Sequence, residues 1–147
     1  MSEWNNLQPS DRITKWKNFR NDIKNLNEET QIEAVANFFA TVPVGSRSID
    51  YYTPSNWLSP WEILYEGCYC KSSISLLMYH TLALVLKDRN KIDIALIDDS
   101  QDVYLVPVVN ESSVLNLQFK TVSLWETLDK DVKIIDYYTS DNIKQIT

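Results

Sequence analysis

The sequence is poor in the residues from which catalytic and metal sites are most often built. It contains one His, two Cys and two Gly in 147 residues. Positive charge is also scarce, since 14 Lys and Arg stand against 20 Asp and Glu and give a formal net charge of −6. Proteins that bind nucleic acid need a basic surface to neutralise phosphates. We therefore expect protein or small-molecule partners and no nucleic acid.

Long apolar runs are absent as well. No run approaches the roughly 18 residues that a membrane-spanning helix needs, and the opening segment MSEWNNLQPSDR has neither the basic nor the apolar region of a signal peptide. These absences predict a cytoplasmic protein without a membrane partner.

The two cysteines are Cys68 and Cys70, and one residue separates them. That spacing rarely allows an unstrained disulfide, so we expect reduced thiols. A zinc site needs four ligands, and the single histidine, His80, lies on the same predicted helix as Cys70. The acidic segment Asp98–Asp102 lacks the spacing of a calcium loop and indicates a hairpin turn. The sequence thus predicts no metal and no cofactor.

The hydrophobic content of 44% and the length favour one domain over residues 1–147. Apolar residues spaced by three and four predict a helix from Pro9 to Leu26 with Ser10 as N-cap, and a second helix after Asn27. Residues 42–59 read as a long aromatic loop. A short helix follows with Ser59 as N-cap, ended by Gly67, and residues 70–87 are apolar on nearly every side, as in a helix at the centre of a domain.

The second half changes to the alternating pattern of strands. Strands are predicted at Ile92–Ile97, Val103–Val109, Val114–Phe119 and Val132–Tyr138, with a short helical piece at Leu124–Leu128 between the last two. Helices followed by an antiparallel sheet give the α+β class. The N-terminal helices and the central buried helix would pack on this sheet.

Cys70 stands where the central helix begins. A thiol at a helix N-terminus faces unpaired N–H groups and the positive end of the helix dipole, which favours the nucleophilic thiolate. The same N–H groups could form part of an oxyanion hole. This position makes Cys70 the candidate nucleophile.

The segment leading to Cys70 resembles the transglutaminase-like cysteine proteinases, a branch of the papain-like superfamily. The family pattern of Trp, Ser/Thr-Pro, Glu, Leu, Gly and Cys appears here as Trp57, Ser59, Pro60, Glu62, Leu64, Gly67 and Cys70. Further matches extend the resemblance over about residues 28–145, which leaves 1–27 as an N-terminal helical extension of a core at 28–147. The resemblance implies a papain-like fold with a Cys–His–Asp site.

The departures from the family pattern fall on that site. By the resemblance, Cys70 is the nucleophile, Asp102 stands at the position of the catalytic histidine, and Asn116 stands at that of the orienting aspartate. Thiol catalysis needs an imidazole to accept and return a proton, whereas a carboxylate near a thiol disfavours the thiolate. His80 lies ten residues along the helix, about 15 Å from its start, and cannot supply the base.

Aromatic residues mark a second candidate surface. Tyr51, Tyr52, Trp57 and Trp61 lie on or beside the long loop, and they either cover the central helix or form a protein-binding patch. Trp16 on the first helix either extends the core or docks on a partner.

We therefore expect a catalytically inactive transglutaminase-like domain that acts as a protein-binding or assembly component. The Asn-, Ile- and Lys-rich composition suggests AT-biased coding and a phage accessory or virion protein with virion subunits as partners. Two alternatives stay open: an active protease, amidase or transferase in which a partner supplies the base to Cys70, and an unrelated α+β interaction domain.

Overall fold

The computed structural model describes residues 3–44, 49–67, 69–118 and 120–144. Its four α-helices are α1 (Pro9–Ile23), α2 (Glu28–Phe39), α3 (Pro60–Glu66) and α4 (Lys71–Leu86), and its five strands are β1 (Ile92–Asp98), β2 (Val103–Val109), β3 (Ser113–Gln118), β4 (Thr121–Leu124) and β5 (Lys133–Tyr138). The predicted strand end at Phe119, Cys68 and part of the 42–59 loop lie outside the described residues. The α+β class is confirmed.

The strands form one antiparallel sheet in the order β4-β3-β2-β1-β5. Strand β1 lies between β2 and β5 and buries both of its faces. Ile94 and Leu96 pack under the helices, whereas Ala95 and Ile97 belong to a smaller cluster with Tyr104. Because side chains alternate along a strand, these two sets lie on opposite faces of the sheet. Burial on both faces explains the nearly continuous apolar sequence of β1.

Helix α4 packs on the sheet and is covered by the other three helices. This position explains why its apolar residues are not confined to one side: Leu76, Leu77 and Leu82 are all fully buried. The sequence left open whether Trp16 on α1 extends the core or docks on a partner, and in the structure it extends the core. Trp16 is fully buried, and its indole N–H donates to Thr81 Oγ1 on α4 at 2.8 Å.

Local signals locate several helix ends. The Asn27 side chain accepts from Thr30 N–H at the start of α2. Ser59 and Glu62 form a reciprocal capping box at the start of α3, and Gly67 ends that helix with a φ of 69°. Helix α1 begins differently from the prediction, because Gln8 is its N-cap, Pro9 occupies its first turn and no side chain caps it. Proline has no N–H group that would need an acceptor, so it is favoured in the first turn of a helix. Because α1 begins at Pro9, Ser10 lies inside the helix.

The segment after β3 also differs from the prediction. Residues 121–124 form β4, which pairs with β3, and the helical piece is a single 3₁₀ turn at Trp125–Thr127. Consequently Lys133–Tyr138 is the fifth strand, and it lies at the sheet edge beside β1. A four-residue strand has too few residues to show an alternating pattern.

Candidate functional site

Cys70 is the N-cap of α4, as the sequence predicts. Its N–H donates to Ser73 Oγ at 2.9 Å, and its sulfur accepts from Ser73 N–H at 3.4 Å. The side chain is half-buried and in the free thiol form. The sulfur therefore takes the place of the hydroxyl oxygen that commonly caps helices, at the positive end of the α4 dipole.

A cavity of about 210 Å³ opens beside Cys70. Asp102, which directly precedes β2, lines it together with Lys71 and Tyr51. The Asp99 carboxylate holds the Asp102 backbone by accepting its N–H at 2.8 Å. The fold thus brings Cys70 and Asp102 to one cavity.

Tyr51 closes one side of this cavity. Burial raises the pKa of its phenol, the charges of Cys70 and Asp102 raise it further, and a hydrogen bond with Ser72 opposes them. The phenol is therefore a neutral hydrogen-bond donor at physiological pH. A group that holds its proton this firmly is not a base for the thiol.

Asn116 lies beneath the start of α4 and does not line the Cys70 cavity. Its amide Nδ2 donates to Lys71 O at 2.9 Å and to Ser75 Oγ at 2.8 Å. Its backbone has a φ of 63°, at the irregularity where β3 leaves its regular pairing. The side chain is thus a donor that joins β3 to the helix.

Two serines complete this junction between α4 and the sheet. Leu105 N–H on β2 donates to Ser72 Oγ at 3.0 Å, and Ser75 Oγ donates to Leu105 O at 2.6 Å. Both backbone groups of Leu105 are thereby satisfied by the helix instead of a neighbouring strand. Serines spaced by three on an otherwise apolar helix are the sequence signal of this contact.

Arg12 holds the C-terminal end of α3, the helix that precedes Cys70, and this role was not predicted from the sequence. Its guanidinium is buried and donates to Leu64 O at 2.7 Å, to Leu7 O at 2.6 Å and to Tyr65 O at 2.8 Å. Two of these carbonyls belong to α3, whose last C=O groups lack partners within the helix. The guanidinium also lies against Gly67, where an added Cβ would be 2.8 Å from Nη2.

His80 lies at the other end of α4, as its spacing from Cys70 predicts. It is buried against Tyr79, with ring centroids 5.1 Å apart. Burial lowers its pKa to about 4, so the imidazole is neutral at physiological pH. The chain's single histidine therefore has no contact with the Cys70 cavity.

Comparison with known proteins identifies the architecture around this cavity. No protein-family model and no curated protein matches the chain. The solved structure of Legionella pneumophila LapG, which has a transglutaminase-like fold, matches with a TM-score of 0.74 at 18% identity, covering 90% of this chain and 76% of LapG. A calcium-bound LapG structure matches with a TM-score of 0.70 at 17% identity, covering 92% of this chain and 81% of LapG. The fold is transglutaminase-like.

Within the transglutaminase-like fold, the four candidate aromatic residues do not share one surface. Tyr52 is 62% exposed and stacks edge-to-face with the half-buried Tyr51, with centroids 6.4 Å apart. Trp57 is buried against Tyr138 and donates to a backbone carbonyl, so it belongs to the core. Trp61 packs on α1. Of these four residues, Tyr51 and Tyr52 therefore form an aromatic surface beside the Cys70 cavity.

Across the described ranges, no cluster of three or more His, Cys, Asp or Glu side chains has the arrangement of a metal site. Asp99 instead binds its own turn: backbone N–H groups of Asp102 and Gln101 and the Tyr104 hydroxyl hold the pKa of its carboxyl below the usual value. In the same part of the chain, none of the helices has the length and hydropathy to cross a membrane.

Proposed function

We propose that this chain is a catalytically inactive transglutaminase-like domain that binds a protein segment at the cavity beside Cys70. The observation that carries the proposal is that Cys70 shares its cavity with Asp102, while His80 is buried near the far end of the same helix. A cysteine hydrolase or transferase needs a group that accepts the thiol proton and later protonates the leaving group. None of the described side chains that line this cavity is an imidazole.

The surface around the cavity has the character of a peptide-binding site. Tyr52 presents a large rigid ring beside Tyr51, and tyrosines of this kind supply contact area at a small entropic cost. Val103 adds an apolar wall, whereas Lys71 and Asp102 offer one charge of each sign. A segment with an apolar anchor flanked by polar residues fits this combination. The composition of the chain supports a phage accessory or virion assembly as its setting, with other structural subunits as partners.

The catalytic part of the proposal is tested with labelled casein for hydrolysis and with a dansylated amine for transfer at pH 7.5. We expect wild type and Cys70→Ala to be equally inactive in both assays. Turnover by wild type that Cys70→Ala abolishes would overturn the proposal and favour a thiol enzyme.

The binding part is tested by selecting peptides from a displayed random library on the full chain. Binding of the selected peptides should weaken about tenfold in Tyr52→Ser, because an exposed aromatic anchor typically contributes more than 1 kcal/mol. Tyr65→Ser is the matched control, since Tyr65 is 66% exposed on α3. Failure to select any binding peptide, or equal losses in both variants, would contradict this surface assignment.

An active enzyme whose base comes from a partner is the second candidate. It is favoured by one observation, the free thiol of Cys70 at the N-terminus of α4 beside an open cavity. Repeating the casein assay with the selected peptides and with cell extract separates the two candidates. Turnover that depends on both Cys70 and the addition would favour this alternative.

A further inference from the structure

The C-terminal end of α4 borders a second cavity, of about 400 Å³. Lys87, Arg89 and Lys144 bring three positive charges to it, and Asp88 brings one negative charge. This size is within the range of small-molecule sites, which usually have a few hundred cubic ångströms or more. The excess of positive charge contrasts with the net charge of −6 of the whole chain.

A smaller cavity adjoins it and shares two lining residues, Leu84 and Lys87. Further basic residues line this neighbour: Lys17 and Arg20 from α1, and Lys24, the C-cap of α1. The two cavities together hold six of the chain's 14 Lys and Arg residues, and Asp88 is the one acidic residue among those that line them. The basic residues of an acidic protein therefore converge on one end of the fold, where they attract anions.

Buried polar groups form the wall of the larger cavity. The Tyr79 hydroxyl is buried and has no hydrogen-bond partner among the described residues. Burial raises its pKa to about 12, the charge of Arg89 acts in the opposite direction, and the charge of Asp93 raises the pKa further. Buried hydroxyls are normally hydrogen-bonded, so an unpaired donor on a residue that lines a cavity with three cationic residues is a feature that a bound anion would explain.

Compensation of the α4 dipole accounts for only part of this charge. Lys87 is the C-cap of α4, where a cation stabilises the helix C-terminus, but Arg89 and Lys144 lie beyond the helix. Arg89 donates instead to Ile143 O at 3.4 Å, in the C-terminal segment that also carries Lys144. The pKa of Glu62 is lowered mainly by its hydrogen bonds with Ser59 and to a smaller extent by the charge of Lys144.

We propose that this cavity binds a small organic phosphate. Lys87, Arg89 and Lys144 would neutralise the dianion, the Tyr79 hydroxyl would donate to one of its oxygens, and Leu84 would contact the apolar part of the ligand. Phosphate suits the site because it carries about two charges and several acceptor oxygens. The site lies at the opposite end of α4 from Cys70, so it does not depend on the function proposed for that cavity.

Calorimetric titration of the full chain with inorganic phosphate, AMP and adenosine tests the proposal. We expect saturable binding of phosphate and tighter binding of AMP, both weakened by added salt because the attraction is electrostatic. Adenosine, which lacks the anion, should not bind. Absence of saturable binding by both phosphate and AMP, or binding of adenosine as tight as that of AMP, would overturn the assignment.

Variants locate the site. Lys87 has a φ of 59°, a conformation that asparagine tolerates, so Lys87→Asn combined with Arg89→Gln should fold and weaken AMP binding at least tenfold. Tyr79→Phe should weaken it several-fold with an unchanged or higher Tm, because the deleted hydroxyl has no partner in the free protein. Lys130→Gln, in an exposed turn elsewhere, is the charge-matched control. AMP binding that survives in the double variant, or falls equally in the control, would refute the site.

Discussion

Replacing Asn116 by aspartate tests whether this residue is a vestige of a catalytic site or a structural donor. The resemblance to transglutaminase-like proteinases places a carboxylate at this position, so the substitution restores the family residue. In this chain, however, the amide donates to Lys71 O and to Ser75 Oγ. An ionised aspartate accepts hydrogen bonds and donates none.

The magnitude follows from these two contacts. Loss of two hydrogen bonds costs about 1 kcal/mol each, and repulsion between the carboxylate and the Lys71 carbonyl oxygen adds about 1 kcal/mol or more. The positive φ of 63° cancels from the comparison because Asn and Asp both tolerate it. We expect Asn116→Asp to lower the free energy of unfolding by roughly 3 kcal/mol at pH 7.

The pH dependence supplies a second readout. A carboxyl that faces two oxygens is favoured in its protonated form, so its pKa in the folded variant is raised above the unfolded value. For such an acid the folded state binds more protons than the unfolded state. The destabilisation is therefore fully present above the folded pKa and diminishes as the pH falls through it.

Urea denaturation followed by circular dichroism measures these effects in wild type, Asn116→Asp and Asn116→Gly. Glycine also loses both hydrogen bonds, but it adopts a positive φ without strain, which returns about 1 kcal/mol. We expect glycine to cost about 1 kcal/mol and aspartate clearly more. An aspartate variant as stable as wild type at pH 7 would refute the structural role of Asn116.

Three further predictions concern other parts of the fold. The pKa of His80 is lowered from 6.5 to about 4 in the folded state, so between these pH values the unfolded state binds one more proton than the folded state. The free energy of unfolding of wild type should therefore fall by up to roughly 3 kcal/mol as the pH falls from 6.5 to 4. Urea titrations in acid should show a correspondingly smaller loss for His80→Gln. Gly67→Ala should lower the free energy of unfolding by about 2 kcal/mol, measured by thermal unfolding, since it combines a positive φ with a collision against Arg12; an unchanged Tm would contradict this. Trp16→Phe should cost about 1–2 kcal/mol in urea through loss of its bond to Thr81 and of packing volume, and a neutral effect would mean that α1 is not part of the core.

Elements with local signals could be predicted from the sequence. Asn27 and Ser59 cap α2 and α3, Gly67 ends α3, and the β-branched runs form β1 and β2. Each of these features depends on contacts within a few residues. The N-cap of α1 was predicted incorrectly because Pro9 occupies the first turn, and the strand β4 was not predicted because it depends on pairing with β3.

For the candidate site as well, local features could be predicted from the sequence, whereas contacts between distant residues could not. The sequence by itself determined that the chain has one histidine, that Cys70 caps α4, and that Asp102 directly precedes a strand, since composition and local periodicity are independent of the remaining chain. Tertiary structure alone decided that Cys70 and Asp102 line one cavity with Tyr51, and that Asn116 faces the helix as a donor. It also decided that His80 is buried and neutral. These properties arise from packing between residues distant in sequence, and only the packed fold sets the solvent access and charge around each group.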